Sequence, residues 1–262
     1  MSNVNNNRRK FLKLAAFLAA ALGFGGSLSV GASYLPERGG YQESEKAKKG
    51  KRWGLVIDTR KFKTEEDFER VIKACHHLHN VPEDIPNKKQ EIKWIWEDEF
   101  EHVFPSQTNP YLTERLKHKK FLVLCNHCDN PPCVRVCPTK ATFKRDDGIV
   151  MMDFHRCVGC RYCMAACPYG SRSFNFRDPA PYVKDKNPEF PTRMRGVVEK
   201  CLLCYERLEK GLKPACVEAS NGGIIFGDLS DPNSEIRKVL RENYTIRRKV
   251  ELGTNPCVFY II

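Results

Sequence analysis

Residues 125–138 read Cys125-Asn126-His127-Cys128-Asp129-Asn130-Pro131-Pro132-Cys133-Val134-Arg135-Val136-Cys137-Pro138. Residues 157–168 read Cys157-Val158-Gly159-Cys160-Arg161-Tyr162-Cys163-Met164-Ala165-Ala166-Cys167-Pro168. In the second stretch the gaps between cysteines are two, two and three residues, and the first stretch differs only in its middle gap, which is two residues longer. A third group follows as Cys201-x2-Cys204-x11-Cys216, with Lys200, Arg207, Gly211 and Pro214 around it. Cys75 and Cys257 complete the thirteen cysteines of the 262-residue chain.

Runs of four sulfurs at this spacing suit iron–sulfur cubanes, and the second run has the spacing of bacterial ferredoxins. Three thiolates on one tight loop face three corners of a cubane. The fourth, three residues on, faces away and serves the neighbouring cluster. Two such runs exchange their last cysteines, so Cys125, Cys128 and Cys133 take Cys167 (cluster A), while Cys157, Cys160 and Cys163 take Cys137 (cluster B). The proline after each fourth cysteine redirects the chain and removes a competing backbone donor. Cys201, Cys204 and Cys216 need a fourth ligand, and Cys75 is the obvious donor (cluster C). Cys257 is left as a buried structural thiol. Other chemistries fit poorly. Zinc ribbons pair two CxxC knuckles across a longer gap. An odd number of cysteines so tightly spaced makes poor disulfide geometry. No CxxC is followed by His, which excludes covalent c-type haem.

A net charge of +12 suggests nucleic acid at first sight. Four of the basic residues (Arg8, Arg9, Lys10, Lys13) lie in the first thirteen positions, and residues 1–33 hold no acid, which leaves 40 basic against 32 acidic residues, or +8. Three oxidised four-iron sites add roughly −6 when thiolate-bound. The basic excess is therefore charge compensation, and no nucleic-acid partner is expected. With 41% hydrophobic and 29% charged residues the chain is globular, and disorder and a multispan membrane protein are excluded.

Asn7-Arg8-Arg9-Lys10-Phe11-Leu12-Lys13 precedes an apolar run from Leu14 to Val30. This resembles a twin-arginine export signal. Val30-Gly31-Ala32 offers a small-residue cleavage site, yet an apolar run of seventeen residues is close to a membrane span, which favours a retained anchor. The organisation reads as a signal or anchor helix over 1–33 and a basic linker over 34–52. Residues 53–116 hold a degenerate first ferredoxin motif plus an insert, and 117–177 a two-cluster module. A third ligand segment spans 178–227, and a C-terminal docking tail 228–262. Trp53 to Asp58 and Gly148 to Asp153 read as short strands, each opening a strand-then-ligand-loop unit. Thr64 to Leu78 reads as an amphipathic helix opened by Thr64-Glu65-Glu66-Asp67. Trp94, Trp96, Phe100 and Phe104 pack the charged insert of 80–120 onto the core, and the apolar end Val258 to Ile262 is a strand or docking segment. His76, His77 and His79 read as helix-surface histidines. The fold class is α+β: tandem bacterial-ferredoxin-like [4Fe-4S] modules with short strands and helical insertions.

The order of two ferredoxin runs followed by CxxC-x11-C, with Trp53-Gly54-Leu55-Val56-Ile57-Asp58 at the start, resembles the four-cluster iron–sulfur subunits of membrane oxidoreductases. The departures matter. The family's first motif is a CxxCxxCxxxC run, but Phe62, Glu65 and Phe68 stand at its first three spacings, and Cys75 falls three residues late. The family's last motif ends CxxxC, but here Ser220 follows Cys216. In the family these four vacated positions hold one cluster, so the resemblance implies three [4Fe-4S] clusters. With the twin-arginine start and the long insert, the chain is most similar to exported subunits of sulfate-reduction-associated and heterodisulfide-reductase-like menaquinol-oxidising complexes. That resemblance implies a polytopic quinone-binding membrane subunit and a multihaem cytochrome c as partners, with other subunits of a membrane redox complex. It places the chain at the cell membrane on the extracytoplasmic face. The expected role is single-electron relay, with no catalytic residue in this chain: it has no Gly-rich nucleotide loop and no nucleophile–base pair. Two other roles fit less well, a subunit of a molybdopterin oxidoreductase and a structural scaffold bearing clusters. Changing Arg8 and Arg9 together to Lys should leave a folded, brown protein on the cytoplasmic side, as read by fractionation and iron assay. Efficient arrival on the outer face would refute the targeting argument.

Overall fold

The computed structural model describes residues 51–262. The expected signal or anchor helix and nearly all of the basic linker lie outside the described residues. Among the described residues no helix is long and apolar enough to cross a membrane.

The opening strand, Trp53–Asp58 (β1), buries its alternate sides in two places. Leu55 and Ile57 enter the main core, while Val56 meets Ile236 and Ile261 in a smaller cluster. The expected helix is Glu65–Leu78 (α1). Its start is set by Asp67, whose carboxylate accepts the backbone N–H of Lys63 (3.0 Å) and of Thr64 (3.1 Å). Those two bonds hold the Asp67 pKa down at about 2. Phe68, Val71 and Cys75 form the buried stripe of α1.

In the insert, Ile95–Glu99 (β2) pairs antiparallel with Lys120–Leu124 (β3). Phe100–Val103 (α2) and Glu114–Lys117 (α3) lie between them in the chain. The insert's aromatics pack as expected: Trp94, Phe100 and Phe104 are buried and Trp96 is half-buried. Phe104 meets Phe121 and Tyr260 at ring centroid distances of 5.3 Å.

The middle of the chain is punctuated by short elements: Pro132–Arg135 (α4), Thr142–Lys144 (β4), Val150–Met152 (β5), Tyr162–Ala166 (α5), Ser173–Phe174 (β6) and Val198–Glu199 (β7). β4 pairs with β5 and β6 with β7, both antiparallel. Tyr205–Leu208 (α6), Ala215–Ala219 (α7), Ile224–Asp228 (β8), Glu235–Glu242 (α8), Thr245–Ile246 (β9) and Val258–Ile261 (β10) complete it. The largest sheet has the order β8-β1-β10-β9, with β1 and β10 parallel and the other pairs antiparallel.

Residues 228–262, expected as a docking tail, pack into this body. α8 lies against β8 and β1, and β10 takes the place between β1 and β9. The end of the chain is apolar because it is an interior strand: Val258, Tyr260 and Ile261 are buried, and the Tyr260 hydroxyl donates to the Leu122 carbonyl at 3.2 Å. Tyr260→Ala should cost about 3–5 kcal/mol, as losses of large buried aromatics do. The corresponding change at exposed Tyr111 should stay within about 0.5 kcal/mol. Denaturant unfolding of the loaded protein separates the two.

Candidate metal centres

Each cysteine group is delivered by a strand. β3 ends at Leu124 and β7 ends at Glu199, with Cys125 and Cys201 directly or almost directly after; β5 ends at Met152, just ahead of Cys157. The first CxxC turn of each of the three cysteine groups shares one backbone device. The residue before the second cysteine is left-handed in all of them: His127 (φ 40°), Gly159 (φ 70°) and Leu203 (φ 57°). That conformation costs a residue with a Cβ roughly 1–2 kcal/mol, so its recurrence at His127 and Leu203 marks a turn shaped by what its sulfurs and N–H groups surround. The Leu203 N–H lies 3.4 Å from Cys201 Sγ. Gly159 has no alternative, since a Cβ there would sit 2.4 Å from the Gly196 carbonyl oxygen.

Cys125, Cys128 and Cys133 line one cavity together with Cys167 from the other run, beside Tyr169, Ser171 and Arg172. Arg172 is buried, and its Nη1 donates to Thr142 Oγ1 at 3.1 Å. Its Nη2 has no hydrogen-bond partner among the protein atoms. Burial works against this charge, but the sulfurs of Cys133, Cys163, Cys125 and Cys167 outweigh it and hold the guanidinium pKa above its ordinary value. An orphaned buried donor among four sulfurs fits an anionic group in that space.

At the second run, α4 packs against α5, which brings the end carrying Cys137 to the helix carrying Cys163. Burial raises the Cys163 thiol pKa, and the Cys133 and Cys157 sulfurs add to the rise. Burial also raises Cys137, but the Thr142 N–H (3.4 Å) and the Thr139 hydroxyl (3.7 Å) outweigh it and leave the pKa below its ordinary value. Cys160 is exposed and Cys157 half-buried.

The third set is assembled by packing of α1 on α7, which brings Cys75 to Cys216. Cys75, Cys201, Cys204 and Cys216 are all buried. Burial pushes the Cys201 and Cys216 thiols up to about 12. Cys75 is pushed well above the ordinary range by burial and by the three other sulfurs. Four thiolates there would not be stable alone, and a metal group held among them would offset the charge.

Lys200 is fully buried, and its Nζ donates to the carbonyls of Val150 and of Cys201 (2.6 Å). No carboxylate pairs with it among the described residues. Burial lowers its pKa, and the Cys125, Cys201 and Cys133 sulfurs oppose that. Two buried cations facing sulfur instead of carboxylate match the donor chemistry of thiolate-held iron–sulfur clusters, whose net charge is negative.

His79 departs from the expectation for the histidines. His77 is exposed, and His76 sits 3.0 Å from Glu83. His79 is buried against Trp94 at a centroid distance of 4.9 Å. Its Nδ1 is 2.9 Å from the Cys75 carbonyl oxygen and 3.7 Å from Cys75 Sγ, and its Nε2 is 2.9 Å from Glu206. Neither this triad nor Arg172 was legible from spacing; only Lys200, next to Cys201, stood near a motif. Cys257 is buried as expected, 3.8 Å from Arg52 Nη2.

The four vacated positions have been refilled. The Phe62 and Phe68 rings meet at 5.2 Å, and the Phe62 ring closes on Gly223, where a Cβ would lie 2.8 Å away. Ser220 Oγ donates to the Val217 carbonyl (2.7 Å) and accepts from the Ile224 N–H (2.9 Å), a link within the backbone. Glu65 is exposed and pairs with Lys120 at 3.2 Å.

Fold and sites together define a ferredoxin-type iron–sulfur protein, and residues 117–184 match the family model of the 4Fe-4S dicluster domain. The chain is 39% identical over 275 aligned residues, 97% of each chain, to iron–sulfur subunit 1 of the Hdr-like menaquinol oxidoreductase of Archaeoglobus fulgidus. It is 36% identical to the iron–sulfur cluster-binding subunit of a menaquinone reductase of Nitratidesulfovibrio vulgaris, covering 80% of this chain and 88% of that one. It is 37% identical to the iron–sulfur subunit of the arsenate respiratory reductase of a Shewanella species, covering 80% and 96%. The chain belongs to this family of electron-transferring iron–sulfur subunits of oxidoreductase complexes.

Raised thiols must give up protons to iron, so loading of the apo-chain with ferrous iron and sulfide should strengthen as pH rises from about 6.5 to 8.5. Proton release during loading, followed in a weakly buffered medium, checks this. Loading that is independent of pH would contradict it.

Proposed function

We propose that this chain is the extracytoplasmic relay subunit of a membrane-bound menaquinol-oxidising complex. It passes single electrons between a polytopic quinone-binding subunit and a multihaem cytochrome c. It holds three [4Fe-4S] clusters, with the ligand sets Cys125, Cys128, Cys133 and Cys167; Cys157, Cys160, Cys163 and Cys137; and Cys201, Cys204, Cys216 and Cys75. The observation that carries the reading is the cavity shared by three cysteines of one run and the last cysteine of the other, with the unpartnered Arg172 Nη2 beside it. Clusters bound at these sites supply one-electron exchange without group transfer.

The protein's own residues order the path. Lys200 faces Cys201 of the third set and Cys125 of the first, so those two sites are neighbours. Arg172 faces Cys125 of the first set and Cys163 of the second, which makes the first site the middle of the three. Val150 links Lys200 to the first ligand loop: its carbonyl accepts from Lys200, and its N–H donates to His127 Nδ1 at 3.1 Å. The missing cysteines support three sites over four, since Phe62, Glu65 and Phe68 offer no thiolate and Phe62 and Phe68 pack on each other at 5.2 Å. The arsenate reductase relative favours a second reading, a subunit of a molybdopterin enzyme. Molybdenum copurifying with the chain would support that reading.

Iron analysis tests the count, with about twelve irons expected per chain. Roughly eight would remove Cys75 from the ligands, and roughly sixteen would require non-cysteine ligands. The exchange of last cysteines has its own test. Cys137→Ala should convert the site of Cys157, Cys160 and Cys163 to a three-iron signal in electron paramagnetic resonance, leaving the other sites intact. Changes confined to the site of Cys125, Cys128 and Cys133 would refute the exchange.

A further inference from the structure

All thirteen cysteines are described, and Cys160 alone is solvent-exposed. Its two near neighbours in the loop, Val158 and Tyr162, are 67% and 62% exposed. Single exposed apolar residues are ordinary, but a continuous patch is not. Here the contacts make it continuous. Gly159 lies close to Gly196, which follows exposed Met194 by two residues. The Arg161 guanidinium stacks over Phe174 and Phe176 at 5.4 and 5.8 Å, and Phe176 is itself exposed. The packing of α4 on α5 brings in exposed Val136, next to Cys137. Nothing among the described residues covers this face.

The rim of the patch is positive. Arg135, Arg161 and Arg195 are exposed and make no ion pair among the described residues, while Arg156 is taken by Asp153 at 3.2 Å. The chain's own basic stretch before Trp53 would be repelled by this rim. An apolar centre ringed by arginines fits a surface with an apolar centre ringed by carboxylates.

We propose that this face is the electron port of the chain, docking a second redox subunit that presents an apolar centre with an acidic rim. The inference rests on the relay reading above and adds which of the three sites meets a partner. Cys160 is where that site opens to the outside, whereas no cysteine of the set built on Cys128 is exposed and all four of the set built on Cys75 are buried. One electron crosses per event, so one side is oxidised as the other is reduced, and no bond or proton moves.

The test uses the complex solubilised from membranes. A benzoylphenylalanine crosslinker at position 158 should link this chain to one other redox subunit, at a peptide carrying apolar residues flanked by Asp or Glu. The same crosslinker at position 244, the site of the exposed Tyr244, should not. Arg135→Glu with Arg195→Glu should weaken retention of that subunit by about tenfold or more, with steeper loss as salt rises. Iron content and cluster spectra should stay unchanged. Crosslinking at 158 to lipid, or to no protein, overturns the proposal, as does retention unaffected by the charge reversals. A chain purified with full iron and native spectra but unchanged retention sinks only the port; absence of iron–sulfur signals sinks the relay reading itself. If the double variant is poorly loaded, Tyr162→Glu, a change at the patch centre, must give the same loss of retention for the port to stand.

Discussion

Charge burial governs this molecule. Cys75, Cys201, Cys204 and Cys216 sit where a thiolate is strongly disfavoured, and Lys200 and Arg172 sit where an unpaired cation is equally disfavoured. Neither set is stable alone, because no buried carboxylate balances the cations and four converging sulfurs repel one another. An anionic cluster held by sulfurs beside a buried cation would relieve both demands. The cations are also shared: each faces the sulfurs of two sites, so the sites are coupled electrostatically as well as by chain connectivity.

The architecture repeats one unit, a short strand that fixes the start of a ligand loop. β3, β5 and β7 each lead into cysteines, and their pairing strands hold the loops at defined distances. β1 leads into a segment that carries Phe62 and Phe68 instead of cysteines; the two rings meet each other, and Phe62 closes on Gly223. Aromatic packing serves the remaining structural need, because it fills volume without requiring a counter-charge.

Much of this was legible in the sequence, and the reason is specific. Cysteine spacing encodes local loop geometry, so the ligand runs declare themselves; β1, β5 and α1 declare themselves through alternation and through Asp67 at a helix start. What was not legible depends on contacts distant along the chain. Arg172 is an ordinary arginine until folding places it among sulfurs from both runs. His79 looks like its neighbours His76 and His77 until Trp94, from the insert, and Glu206, from far downstream, close around it. The C-terminal strand was ambiguous for the same reason, since an apolar end reads alike whether it will dock onto a partner or slot between β1 and β9.

That slot has a consequence for how the protein is made. β1 is the first described strand and β10 the last, and they are hydrogen-bonded partners, with Ile57 beside Tyr260. The main sheet therefore cannot close until residues 258–261 have been made and have left the ribosome. The ligand loops emerge much earlier and must wait in an open chain whose sulfurs remain accessible to cluster donors. Docking of β10 thus becomes the event that seals the molecule, and a chain lacking β10 leaves β1 with an uncovered edge, a ready mark for quality control.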